Sequence, residues 1–309
     1  MTTNKQNTII LCSSPRVGST FIIQSASSDN TYFSLGEFFY CSWYATWIKS
    51  QVIKQMSDKR SDKIFNYTNW FEQLSFLLYE RTEGRFPLSH YPRGVLKLFL
   101  ESTNEKLLTE TMEFFNKEMQ QNTVTKIFIS QSSASISQKE TTIDLENILK
   151  YCDSLISVYR KDILLTWISQ KKAKANGLWI INNEINTGKL EESKEFKTTW
   201  NKEEYLSKYN CILHDYLVMC DLYKNFNKPK CVIQYETLHK QKDKVAYLQN
   251  IYNKNKIDIT INKNTFSLNK TIKQSKDQNI ENHFSNPEEF LKDYDDIKNT
   301  RWITSDLEI

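Results

Sequence analysis

The chain predicts an α/β protein with a mainly parallel central sheet flanked by helices in three layers. Three observations carry this expectation. Ile9-Ile10-Leu11 is a short run rich in β-branched residues without polar alternation, and Leu155–Tyr159 is another substantial strand candidate. A run of the first kind suits a strand buried on both faces. Stretches of helical length alternate with the strand candidates, which implies crossover connections. No linker and no internal repeat divides the 309 residues, so a single domain over 1–309 is expected.

The elements follow in order. The first strand ends before Pro15, which cannot donate to a sheet ladder. Gly18 permits a sharp turn or a close ligand approach. Ser19 or Thr20 then begins a helix through Ile23. Thr31–Leu35 reads as a short strand. The aromatic-rich stretches Phe38–Met56 and Lys63–Arg81 read as helices. Their Trp43, Tyr44, Trp47, Trp70 and Phe71 suit core packing better than a sugar wall. Arg93–Phe99 is a strand candidate interrupted only by Lys97, and a charge there belongs near a strand end or in a pair. Asn104–Gln121 is an amphipathic helix.

Lys126–Ser130 makes another strand, Asp144–Tyr151 a helix, and Leu155–Tyr159 a strand that runs into Arg160. The helix Ile163–Ala175 comes next. Residues 176–200 are polar with little periodicity and are expected to form a lid-like excursion. Lys202–Asn225 reads as a long helix, Cys231–Gln234 as a strand and Val245–Asn253 as a helix. Ligands of parallel sheets bind beyond the carboxyl ends of the strands. That rule aligns Arg16, Glu37, Lys97 and Arg160 along one edge.

Charge and cysteine usage narrow the class. The balance of 41 Lys+Arg against 37 Asp+Glu gives +4. It suits a small anionic ligand and does not demand nucleic acid. The six cysteines contain no C-x-x-C pair, so no metal is expected. The N-terminal residues lack a signal-like apolar core, and no run of membrane-spanning length occurs. A cytoplasmic protein with reduced thiols is the expectation.

Thr8–Ile22, TIILCSSPRVGSTFI, organises the chain. Strand, tight turn and helix N-terminus form an anion-binding arrangement, because the first helical N–H groups lack intrahelical partners. Arg16 adds a fixed cation, and Ser19 and Thr20 add hydroxyls. The triphosphatase loop G-x-x-x-x-G-K-[ST] does not fit, since Ser19 follows Gly18 directly and the lysine is missing. A single glycine also excludes the dinucleotide G-x-G-x-x-G.

The spelling Pro15-Arg16-Val17-Gly18-Ser19-Thr20 resembles the 5′-phosphosulfate loop of sulfotransferases. It is closest to the bacterial carbohydrate enzymes of the trehalose and nodulation-factor type. Further segments match in the same order. Val158–Ala173 resembles the 3′-phosphate segment of that family, with Arg160 at a strand end and Ser169 on the next helix. Gly36-Glu37-Phe38-Phe39 resembles its G-E-x-F/L segment. Gly94–Phe99 resembles its G-x-K-L/I strand, and Val232–Leu238 its Y-E-D-L, a structural segment, with Thr237 in place of the aspartate. Ile272-Lys273-Gln274-Ser275 and Asn286–Phe290 resemble its K-Q-S…N-x-x-E/D tail.

The resemblance implies a P-loop-like fold and a sulfotransferase. Its cofactor would be 3′-phosphoadenosine 5′-phosphosulfate (PAPS), and its acceptor a carbohydrate or other small hydroxyl compound. Ser14, Pro15, Arg16, Val17, Gly18, Ser19 and Thr20 would hold the 5′ side, and Arg160 and Ser169 the 3′-phosphate. Lys273 would approach the phosphates. The interval from Arg160 to Ser169 is one residue longer than in many members of the family, so Lys161 competes with Arg160. Glu37 would be the catalytic base, with Arg16 stabilising the leaving phosphate. His90 is the alternative base, and it and Lys97 would face the substrate. Two rivals stay open: a non-catalytic nucleotide-binding module and a P-loop kinase-like enzyme. The sequence leaves the acceptor, and a homodimer, undecided.

Overall fold

A computed structural model describes residues 7–29, 31–36, 122–129, 145–146, 149–150, 152–176, 197–262 and 279–303. Five strands form one sheet in the order β2-β3-β1-β4-β5. They are β1 (Thr8–Ser13), β2 (Tyr32–Gly36), β3 (Asn122–Phe128), β4 (Ser154–Tyr159) and β5 (Lys230–Gln234). Every pair in it is parallel. β1 is central: Leu11 lies beside Lys126 of β3 and Ile156 of β4. All six residues of β1 and of β4 are buried, as strands covered on both faces must be.

The helices are α1 (Ser19–Ala26), α2 (Ile163–Asn176), α3 (Lys202–Asn225), α4 (Tyr235–Lys240), α5 (Lys244–Lys254) and α6 (Pro287–Ile297). The two-residue period of the strands sorts the core into two layers. Ile9, Leu11, Val124, Ile156 and Val158 pack with Ile22 and Ile23 of α1 and with Val245 and Leu248 of α5. Ile10, Cys12, Ile127 and Leu155 pack on the opposite side with Leu164 and Trp167 of α2 and Tyr216 and Met219 of α3. Sheet and two helical layers make the three-layer α/β arrangement that the sequence predicts.

Several boundaries move by a few residues. β3 begins at Asn122, earlier than the expected Lys126, because the Asn7 backbone N–H donates to the Asn122 side chain and Thr123 pairs with Thr8. α3 covers the expected span, closed at its N-terminus by Asn201, whose side chain accepts from Glu204 N. The end of the expected excursion is core. Thr198 pairs with Phe284, and the buried Trp200 ring meets Trp167, Phe284 and Phe290 at centroid distances of 5.6, 5.4 and 5.1 Å. A large aromatic ring such as that of Trp200 gains most from burial. Residues 177–196 lie outside the described residues, as do the elements expected over 38–121. No helix among the described residues is long and apolar enough to cross a membrane.

Candidate functional site at the carboxyl edge of the sheet

The topology creates a crevice at the end of β1. From β1 the chain turns to the α1 side. From β3 and β4, its two neighbours, it leads to residues packed on the α2 side, Leu145 and Leu149 after β3 and Leu164 after β4. Loops that part to opposite faces leave space between them, and ligands of open α/β sheets bind there.

The β1–α1 loop closes that crevice from below. Arg16 and Gly18 both adopt left-handed backbone conformations, at φ 69° and 82°. Gly18 is the N-cap of α1, with no side-chain cap and no acidic residue in the first turn. The helix start is thus left to backbone donors and the dipole, an arrangement that suits an anion. The ring of Tyr235 lies against Gly18: a Cβ built there would meet its Cδ2 at 2.8 Å. A side chain at position 18 is excluded twice, by φ and by the ring.

The loop is less exposed than its role predicts. Val17 is 2% exposed and lies in the core on the α1 side. The Ser14 hydroxyl donates to the buried Asp215 Oδ2 of α3 at 3.1 Å. The Ser14 hydroxyl is thus engaged by α3 and the Val17 side chain by the core on the α1 side. Ser19 is buried, whereas Pro15, Arg16 and Thr20 are half-buried. The reason is geometric: β1 is central, and its loop is overlaid by α2 and α4.

Three cations come from three adjacent strands. Arg16 follows β1, Lys126 lies in β3 and Arg160 follows β4. Arg16 Nε donates to Ser169 Oγ at 3.0 Å, which unites the two segments singled out in the sequence. Ser169, which the resemblance assigns with Arg160 to the 3′-phosphate, thus contacts Arg16. Burial above all, and the like charge of Arg160, push the Arg16 pKa down to about 10, against a raising contribution from Tyr235. The guanidinium is still charged at neutral pH. Lys126 is 3% exposed, and its Nζ donates to Thr20 Oγ1 at 3.4 Å and lies 4.6 Å from the Phe128 ring centroid.

Arg160 is held by α4. Its guanidinium lies 4.9 Å from the Tyr235 ring centroid, and its Nε is 3.7 Å from Glu236 Oε1. That separation is too long for a hydrogen bond, and among the described residues the buried Nε has no hydrogen-bond partner. Glu236 spends its oxygens on backbone, accepting from Lys161 N at 3.1 Å and Asp162 N at 3.2 Å. Asp162 in turn caps α2 by accepting from Leu165 N at 2.8 Å, and accepts from Arg301 at 2.9 and 3.1 Å. The Y-E-T-L segment therefore anchors the turn that carries Arg160, Lys161 and α2.

Lys126, Tyr235, Glu236 and Asp215 escape the sequence reading as site residues. Lys126 carries the signal noticed for Lys97, a single charge in an apolar strand run. Asp215 is one acid among the polar residues of α3, and no local pattern marks it. Glu37, His90, Lys97 and Lys273 lie outside the described residues.

An anionic group fits this arrangement: Arg16 and Arg160 lie near one another beside an uncapped helix start, and the Arg160 Nε has no hydrogen-bond partner among the described residues. Comparisons of the chain with protein-family models, with curated proteins and with solved structures found no match.

Proposed function

We propose that the protein is a PAPS-dependent sulfotransferase acting on a hydroxyl of a carbohydrate or other small cytoplasmic acceptor. One observation carries the reading. Arg16 and Ser169, which belong to the two separate segments resembling the 5′- and 3′-phosphate segments of that family, meet at 3.0 Å beside Arg160 at the topological switch point. A ligand bearing two phosphate groups is the natural occupant of two adjacent cationic segments.

PAPS supplies an activated sulfuryl group on a phosphate leaving group. The acceptor oxygen forms a bond to sulfur, the bond from sulfur to the phosphate oxygen breaks, and adenosine 3′,5′-bisphosphate leaves. Arg16 and the start of α1 neutralise charge growing on the leaving phosphate. Thr20, oriented by Lys126, and Ser19 hold its oxygens. Arg160 or Lys161 takes the 3′-phosphate, and Lys273 approaches the phosphates. Glu37 accepts the hydroxyl proton, with His90 as the other candidate, and Lys97 faces the acceptor. Positioning and electrostatics do the rest, as in phosphoryl transfer.

The test is incubation with ³⁵S-labelled PAPS and a panel of sugars and glycans. Labelled product with stoichiometric adenosine 3′,5′-bisphosphate supports the proposal. Tight binding of the bisphosphate without transfer to any acceptor turns it into a non-catalytic nucleotide module. Binding of ATP in preference to PAPS overturns it in favour of a kinase-like enzyme.

A further inference from the structure

Resting on that reading of the crevice, we infer that Tyr235 and Glu236 are positioning residues that hold its two anion-binding segments in one preformed arrangement.

The β1–α1 loop and the β4–α2 turn come from different strands, and each carries an arginine. Arg16 and Arg160 repel one another: the charge of Arg160 is among the causes that lower the Arg16 pKa. Left alone, two such side chains turn apart toward solvent, and a ligand must gather them at an entropic cost. One aromatic ring opposes this. Tyr235 touches Gly18, with Cδ2 2.8 Å and Cε2 3.1 Å from a Cβ built there. The same ring takes the Arg160 guanidinium at 4.9 Å from its centroid. His239, one turn further along α4, stacks on it at 5.6 Å with an interplanar angle of 4°. The ring is thus fixed by α4 and spans both segments.

Glu236 completes the device from behind. Its carboxylate binds the two backbone N–H groups that follow Arg160 and stands 3.7 Å from Arg160 Nε. It offsets the like-charge repulsion without closing a hydrogen bond on Nε, which has no hydrogen-bond partner among the described residues. The position is unusual for an acid beside an anion site. A carboxylate there weakens anion binding through charge alone, so its gain must come from orientation.

That opposition of sign makes the test. Wild type, Tyr235→Phe, Tyr235→Leu and Glu236→Gln are titrated calorimetrically with adenosine 3′,5′-bisphosphate and with inorganic pyrophosphate. Each variant is first checked for a folded state by urea unfolding. Tyr235→Phe keeps the ring and binds as wild type does. Tyr235→Leu loses about tenfold in affinity for the bisphosphate. Glu236→Gln, whose amide cannot accept from both N–H groups without turning its own NH₂ on one, also binds the bisphosphate more weakly. In the Tyr235→Leu background, Arg16→Ala and Arg160→Ala become additive, whereas they are coupled in wild type. Folded Tyr235→Leu with unchanged affinity overturns the inference and leaves the anion site standing. Tighter binding by Glu236→Gln does the same, since it reports charge alone. A wild-type protein that binds neither probe overturns both the site and the inference.

Discussion

Gly18→Ala isolates the tightest contact in the crevice. An alanine there must hold φ near +82°, which costs about 1–2 kcal/mol for a residue with a Cβ. Its methyl group must also displace the Tyr235 ring, whose Cδ2 and Cε2 would stand at 2.8 and 3.1 Å. The ring cannot retreat freely, because His239 stacks on it at 5.6 Å and Arg160 lies 4.9 Å from its centroid. Overpacking of this kind adds about 1–3 kcal/mol. The sum, roughly 2–5 kcal/mol, is a large part of a typical domain stability of about 5–15 kcal/mol. The variant should fold but unfold at clearly lower urea. The assay is equilibrium urea unfolding of wild type, Gly18→Ala, Tyr235→Ala and the double variant. With Tyr235 truncated, only the backbone contribution should remain, so the double-mutant cycle yields about 1–3 kcal/mol of coupling. A Gly18→Ala loss below about 0.5 kcal/mol, or an equal loss in both backgrounds, would refute the reasoning.

Three further outcomes are expected. Arg16→Ala should keep its fold and lose at least about tenfold in affinity for adenosine 3′,5′-bisphosphate, since a charge-assisted bond contributes roughly 1.5–3 kcal/mol; unchanged affinity by calorimetry would remove Arg16 from the site. Glu37→Gln should bind the bisphosphate as wild type does but slow single-turnover sulfuryl transfer by about 10²–10⁴-fold, and a loss under about fivefold would pass the base role to His90. Stability should fall as pH rises above about 9, because burial raises the thiols of Cys12, Cys152 and Cys231 above their ordinary value of 9.0 and the phenols of Tyr32 and Tyr205 to about 12. The unfolded chain loses these protons first, so the stabilisation present below the unfolded pKa is lost as pH climbs toward the folded one. A urea midpoint that is flat from pH 8 to pH 11 would count against this.

β1 and β4 are the most legible part of the fold. Ile9–Leu11 is apolar without alternation, and burial on both faces is what such a run requires. The long helix was equally plain, since Asn201 caps it and Glu203 and Glu204 open its first turn. Local chemistry also located the loop: Pro15 ended the strand and Gly18 supplied the left-handed turn. What stayed hidden was the company the loop keeps. Tyr235 reaches Gly18 from over two hundred residues away, Asp215 reaches Ser14, and Arg16 reaches Ser169. Each contact follows from strand order, and strand order is not written in local periodicity. With β1 beside β4, the cation that Ser169 meets is Arg16.

The arrangement of the acids explains how such a cluster of cations can exist before any ligand arrives. Partly desolvated like charges destabilise a fold unless carboxylates or dipoles offset them. On the crevice side of the arginines, those carboxylates would occupy the anion's position. Here they stand behind. Glu236 engages the backbone after Arg160, Asp162 is taken up by Leu165 N and Arg301, and Asp215 lies under Ser14 on the α3 side. Their fields reach the crevice, while the oxygens of Glu236 and Asp162, and Oδ2 of Asp215, are committed to donors in the frame of the protein. Arg16 nevertheless keeps a lowered pKa, so the compensation is incomplete. Unrelieved positive charge held by rigid neighbours is the condition under which an arriving phosphate gains most, because no reorganisation is left to be done.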